Sequence, residues 1–282
     1  MPGIRVVTDS ACDLTDELAA ANGIVVVPLT IRFGAEELSD RRDLSPAEFW
    51  RRCKASPTLP ETAAPAPGAF AAAFTDAAGG GATGVLCLTI SSGVSATYQS
   101  ALAGADAVAG RVPVKVIDTR SLTMGQGLMC LAAAEAAAGD ASLDELGILV
   151  DGLIGRTRIL GVVDTLDHLQ RGGRIGGAAA LVGSLLSIKP VIQVVDGVVE
   201  QESKQRTRSR SLDYLAEKVR ADAPLDRIAV SNGAADDIDA VLSRLEGLDV
   251  AHELLVVDLG PVVGTHAGPG TIGVSYQLPP DA

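Results

Sequence analysis

Short runs of apolar, β-branched residues, separated by helix-like stretches, constrain this chain more than any other feature. "IRVVTDS" (4–10), "GVLCLTI" (84–90) and "VKVIDT" (114–119) are apolar at most positions before they end. A strand with one wet face alternates apolar and polar residues. A strand buried on both faces does not, and such strands between helices imply a parallel sheet covered on both sides. The intervening segments carry helix punctuation. Thr15 is placed to cap "LTDELAAANG" and Gly23 to stop it. Ser45, Pro46 and Glu48 spell a capping box with proline at the first helical position. Pro65 and Pro67 lead into a helix near Gly68, "SSGVSATYQSALAGADAVAG" (91–110) reads as a helix, and 122–138 is Ala-rich and helical. "GIVVVPLTIRF" (23–33) reads as one strand.

The pattern changes after about residue 155. "ILGVVDT" (159–165) is a strand, and "PVIQVVDGVVEQES" (190–203) is two β runs joined by Asp196-Gly197, a hairpin signal. Helical patterns at 207–221 and 234–246 sit among the strands "RIAVSNG", "AHELLVVDLG" and "TIGVSYQL". The fold class expected is α/β with two domains. Residues 1–155 would form a Rossmann-like domain on a parallel sheet. Residues 156–282 would form an α+β domain on a mixed, partly antiparallel sheet.

Composition excludes several functions. Residues of the hydrophobic types make up 47% of the chain and aromatics 3%, so Val, Leu, Ile and Ala build the core. No apolar run approaches the roughly 20 residues of a spanning helix. "MPGIRVVTDS" has no secretory pattern, so a cytoplasmic protein is expected. A net charge of -12 opposes general nucleic-acid binding. Cys12, Cys53, Cys87 and Cys130 are scattered with no CxxC, and the three histidines are scattered too, so no metal site is expected. No phosphate-binding P-loop, GxGxxG, HExxH or kinase signature is present.

Three polar clusters are candidates for chemistry. Asp9 and Ser10 end the first strand, where open α/β sheets bind ligands, though both could simply satisfy loop amides. Ser91, Ser92 and Ser95 crowd a helix start, which suits an anion but equally an N-cap. The third is "GTHAGPG" (264–270), which sets His266 among glycines that permit close backbone approach, in a stretch too flexible to be the middle of a helix or strand. A histidine there can donate to an anion or hold a proton near neutral pH. Weaker signals are Arg171 and Arg174 in "QRGGRIGG" and the basic run "KQRTRSR" (204–210), which is a solvated helix start or a docking patch for an acidic partner. His168 on "DTLDHLQ" and the apolar "SLLSIKP" (184–190) read as structural. Taken alone, hydroxyls, one histidine and glycine loops suit holding a small anion better than transforming it.

Taken together, "VVTDSACDL", "VPLTIRFG", "LPETAAPAPGAF", "ISSGVSATYQSA", "VIDTRSLTMGQG", "HLQRGGRIGG", "LLSIKPV", "KQRTRSR" and "GPVVGTHAGPGTIGV" resemble the DegV family of bacterial lipid-binding proteins, nearly end to end and in order. The resemblance implies a non-enzymatic carrier that holds a long-chain fatty acid such as palmitate between its two domains. It implies no cofactor, a separate fatty acid kinase subunit as partner, and transient contact with a membrane surface. Carried over by position, Thr62, Ser95 and His266 would hold the carboxylate, with a charge-assisted bond from His266 when protonated. Arg174 and Arg206 would face the kinase or its phosphate. The family commonly reads Thr-Ser-Gln-Pro where this chain has Thr62-Ala63-Ala64-Pro65, and Ser-Gly-Thr where it has Ser95-Ala96-Thr97. Two rival readings remain. One is an enzyme acting on a small phosphorylated or carboxylated substrate, since the family is similar in fold to dihydroxyacetone kinase domains. The other is a regulator working through "KQRTRSR".

Overall fold

The computed structural model describes residues 3–56, 58–181 and 188–280; of the segment 184–190, residues 184–187 lie outside them. The first part of the chain runs β1 (Ile4–Asp9), α1 (Asp16–Ala21), β2 (Val25–Val27), β3 (Thr30–Phe33), β4 (Glu36–Ser39), α2 (Pro46–Ala55) and β5 (Glu61–Ala63). It continues through α3 (Pro67–Gly79), β6 (Gly84–Thr89), α4 (Thr97–Ala107), β7 (Val114–Asp118), α5 (Thr123–Ala138) and α6 (Leu143–Arg156). There follow β8 (Thr157–Val162), α7 (Asp167–Arg171), β9 (Lys189–Val195), β10 (Val198–Gln205) and α8 (Arg208–Ala221). The chain closes with β11 (Arg227–Gly233), α9 (Ile238–Leu245), β12 (Leu255–Asp258), α10 (Pro261–Ala267) and β13 (Thr271–Gln277).

The apolar runs β1, β6 and β7 join β2 in an all-parallel sheet of order β2-β1-β6-β7. Every residue of β6 is buried, as a strand covered on both faces requires. The second large sheet has the order β10-β9-β8-β13-β11-β12 and is antiparallel except between β11 and β12. Asp196 and Gly197 both take positive φ, 47° and 82°, the turn geometry that joins β9 to β10.

Several local expectations are corrected. The stretch 23–33 is two strands, broken after Val27, because Pro28 lacks the N–H that a continuous ladder needs. The second piece, β3, leaves the parallel sheet for a small antiparallel sheet of order β4-β3-β5, which the sequence did not announce. Ser45 accepts from the Glu48 N–H at 3.3 Å, but the Glu48 carboxylate turns to Arg51 and Arg52, so only half the capping box forms. A complete box caps α6 at Ser142 and Glu145 instead. The segment 91–110 is helical only from Thr97 to Ala107.

Helix α5 explains how the sheets are held together. Its residues are buried almost all round, which marks a helix packed on every side. It lies against β1 and β6 of the parallel sheet and against β8, β11 and β13 of the mixed sheet. One apolar cluster accordingly joins Leu86, Leu88, Leu128 and Val150 with Ala229 and Val257. Phe70 and Phe74 fill the opposite face of the parallel sheet, and each such side chain contributes about 1.5–3 kcal/mol by burial. Among the described residues, no helix is long and apolar enough to cross a membrane.

Candidate functional site

Between the two large sheets lies a cavity of about 180 Å³. Its walls are chiefly apolar and come from both parts of the chain: Leu29, Ile90 and Leu122 from one side, Ile159, Ile192 and Val262 from the other. Thr62, Ser95, Arg174 and His266 all line it. At the Thr62 side it meets a second, polar pocket of about 510 Å³, which shares Thr62, Arg174 and His266 and adds His168 and Arg171. An apolar chamber with a polar, basic mouth suits an amphiphilic anion.

Each polar residue is placed by its element. Thr62 sits on β5, opposite Ile31 of β3, so the small antiparallel sheet carries it to the cavity. Ala64, two residues on, and Ala96 also line the cavity, so two of the three residues that depart from the usual family pattern put methyl groups on the wall. Ser95 lies in the turn before α4. Its hydroxyl shares a hydrogen bond with the Thr97 hydroxyl at 2.8 Å and accepts from the Thr97 N–H at 3.3 Å.

His266 is in the last turn of α10, not in a flexible loop, and the glycines that follow take positive φ only after the helix has ended. Its Nε2 lies 3.0 Å from Thr62 Oγ1. Its Nδ1 is buried without a partner. Gly172 packs flat against the ring: a Cβ there would stand 2.3 Å from Nδ1. Burial first, then the charges of Arg174 and His168, pull the His266 pKa from 6.5 down to about 4. In the ligand-free protein the imidazole is therefore neutral at pH 7. If Nε2 carries the proton, His266 donates to Thr62, and the Thr62 hydroxyl is free to donate to an oxygen in the cavity.

Arg174 is exposed and holds the lip, donating from Nε to the Val94 carbonyl at 3.1 Å and from Nη1 to the Gly172 carbonyl at 2.6 Å. Arg206 is exposed just after β10 and lines neither pocket. His168, read from sequence as structural, lies in the polar pocket with Nδ1 3.3 Å from the Thr265 carbonyl. Nothing in its local sequence signalled this, because α7 and α10 meet only in the tertiary fold.

Asp9 and Ser10, and Ser91 and Ser92 beside Ser95, resolve toward structure. Asp9 accepts from the N–H groups of Ala11 and Ile90, at 3.1 and 2.7 Å, and Ser10 accepts from the Leu29 N–H at 3.0 Å. Ser91 and Ser92 neither cap α4 nor line the cavity: Ser91 donates to the Gly197 carbonyl at 2.7 Å, and Ser92 bonds Asp118. Cys12, Cys87 and Cys130 are buried and free, and Cys53 is half-buried and free.

The two sheets, the apolar cavity between them and its basic mouth define an α/β protein built to enclose a ligand with an apolar body and a polar end. Comparison with known proteins places it further. A model of the DegV family, described as uncharacterised proteins, matches residues 3–278, and the chain belongs to that family. A DegV domain-containing protein of Streptomyces coelicolor is 37% identical over 281 residues, covering 96% of this chain and 97% of that one. Among solved structures, a DegV family protein from Thermus thermophilus described by its fatty acid binding is 34% identical, with a TM-score of 0.89 over 98% of this chain and 100% of the other. A stearic-acid-binding protein from Eubacterium ventriosum is 27% identical, with a TM-score of 0.87 over 99% of each chain.

Proposed function

We propose that this protein binds a long-chain fatty acid such as palmitate, with the acyl chain in the apolar cavity and the carboxylate at Thr62, Ser95 and His266. The single observation that carries the reading is the apolar chamber whose polar side is those three residues, opening on a basic pocket. Burying about 14 methylenes offers on the order of 11 kcal/mol at ~0.8 kcal/mol each, from which ordering costs are subtracted. The headgroup then needs only a few donors, and the Thr62 and Ser95 hydroxyls supply them.

The protein acts as a carrier without chemistry of its own and presents the carboxylate to a separate kinase subunit for acyl-phosphate formation. Arg171 and Arg174 at the mouth favour an incoming phosphate. The exposed Arg206 belongs to the surface that meets that partner. The carrier works in the cytoplasm, with transient contact at the membrane surface where fatty acid is exchanged. Residues 1–155 and 156–282 are its two domains, each built on its own large sheet, with the ligand between them.

The test is mass spectrometry of the organic extract of freshly purified protein, followed by uptake of added palmitate. About one fatty acid per chain is expected. An empty extract together with no uptake would overturn the proposal and favour an enzyme acting on a small anionic substrate.

A further inference from the structure

Asp13 and Thr123 meet at the seam between the sheets, and both occupy the left-handed backbone region, with φ of 54° and 46°. Aspartate tolerates that region, but for a β-branched threonine it is a genuine outlier. Such strain persists only where the surroundings impose it. Here the Thr123 hydroxyl donates to Asp13 Oδ2 at 2.6 Å and lies 3.1 Å from the Ser231 hydroxyl on β11. The second oxygen, Asp13 Oδ1, accepts from the Gly260 N–H at 3.1 Å. Gly260 has no room for a side chain, because a Cβ would stand 2.5 Å from that same oxygen.

These contacts bear on the site from behind. Gly260 is the residue before α10, and α10 ends with His266 against Thr62. Thr123 begins α5 and is itself a wall of the apolar cavity. One buried carboxylate thus ties the turn after β1 to α5, through Thr123 to β11, and to the first turn of the helix that bears the histidine.

We propose that Asp13 is a positioning residue: by accepting from Gly260 and Thr123 it fixes where α10 begins, and so where His266 stands opposite Thr62. It lines neither the apolar cavity nor the polar pocket. The inference rests on the fatty-acid reading only for its effect on affinity; its effect on α10 stands apart from it. Trp50, the only tryptophan of the chain, reports on α10 directly, because its ring packs against Gly264 in the middle of that helix.

The experiment compares the full-length protein with Asp13→Asn, Thr123→Val, Thr123→Ser and a remote core variant, Val219→Ala. Asn keeps the backbone preference and removes one acceptor. Val removes the hydroxyl, and Ser keeps it. Val219 is fully buried in the apolar cluster of α8 and the mixed sheet. Trp50 emission and the His266 ring signal by NMR are read without ligand, then palmitate affinity. Asp13→Asn and Thr123→Val are expected to shift both ligand-free signals and to weaken palmitate binding. Thr123→Ser is expected to leave both ligand-free signals as in the parent, and Val219→Ala to lower only the melting temperature. If Asp13→Asn and Thr123→Val behave like Val219→Ala, the proposal is overturned. If the parent binds no palmitate, the function proposal fails, and the ligand-free Trp50 and His266 signals still decide this one.

Discussion

Thr62 Oγ1 and His266 Nε2 lie 3.0 Å apart although 204 positions separate them in the chain. The bond joins a strand of the small antiparallel sheet to a seven-residue helix next to the mixed sheet. It forms where the apolar cavity meets the polar pocket, at the place the proposed function gives to the carboxylate.

Replacing Thr62 with Val keeps the shape and removes the hydroxyl. Palmitate affinity is expected to fall about tenfold, with a similar loss for Ser95→Ala, since each removes a hydrogen bond to an ionised group worth about 1.5–3 kcal/mol. Displacement of a fluorescent fatty acid measures it. Unchanged affinity in the Thr62→Val, Ser95→Ala double variant would move the headgroup elsewhere.

His266 is expected to stay neutral through pH 5 and to titrate near 4, as its burial beside Arg174 and His168 dictates. The folded pKa lies below the ordinary 6.5, so the unfolded chain takes up the proton first. The stability linked to His266 is complete above pH 6.5 and is lost as pH falls toward 4. An NMR titration of the ring reads the pKa, and a midpoint near 6.5 would contradict the buried placement.

Gly172→Ala should disturb the site without touching a ligand. The new methyl group would meet His266 Nδ1, and the ring must shift from its place beside Thr62. A destabilisation of about 1–3 kcal/mol is expected, with weaker palmitate binding. Urea unfolding gives the first and displacement the second. Parent-like values for both would show that the ring has space to yield.

Asp40 carries an opposite pH signature. It is 1% exposed, and neither of its oxygens accepts a hydrogen bond of good geometry. Burial raises its pKa from 3.8 to about 6, against smaller lowering by the Ser10 hydroxyl and Arg41. The folded chain therefore holds the proton longer than the unfolded one. The stability linked to Asp40 is complete below pH 3.8 and is lost as pH rises to 6. Asp40→Asn should gain on the parent between pH 4 and 7 in urea midpoints. A constant difference over that range would show that Asp40 is ionised throughout.

What could be read from the chain itself is local. The apolar run 84–90 reveals a central strand of a parallel sheet, because a strand covered on both faces has no wet face to mark with polar residues, whereas 114–119 pairs at the sheet's edge and is only half-buried. Asp196-Gly197 reveals its hairpin because the turn needs two positive φ angles, and Pro67 marks the start of α3 because proline is tolerated at a helix's first position. The ordered series of motifs also carried Thr62, Ser95 and His266 into one candidate site and set Arg174 with Arg206 apart; the fold brings the first three and Arg174 to one cavity and leaves Arg206 outside it.

Tertiary structure decided the rest, because the quantities involved depend on neighbours distant in sequence. "GTHAGPG" looks flexible, yet packing against Phe49 and Trp50 holds it helical through Ala267. A histidine's sequence context leaves its pKa near 6.5, and only burial against Gly172 beside Arg174 makes His266 neutral. Neither His168's place in the polar pocket nor the bond from the Gly260 N–H to Asp13 has any local signal. The sequence alone determined which strands are buried, where they turn and which motifs recur. The packing of two sheets around α5 determined which of those residues meet, and therefore what the site can hold.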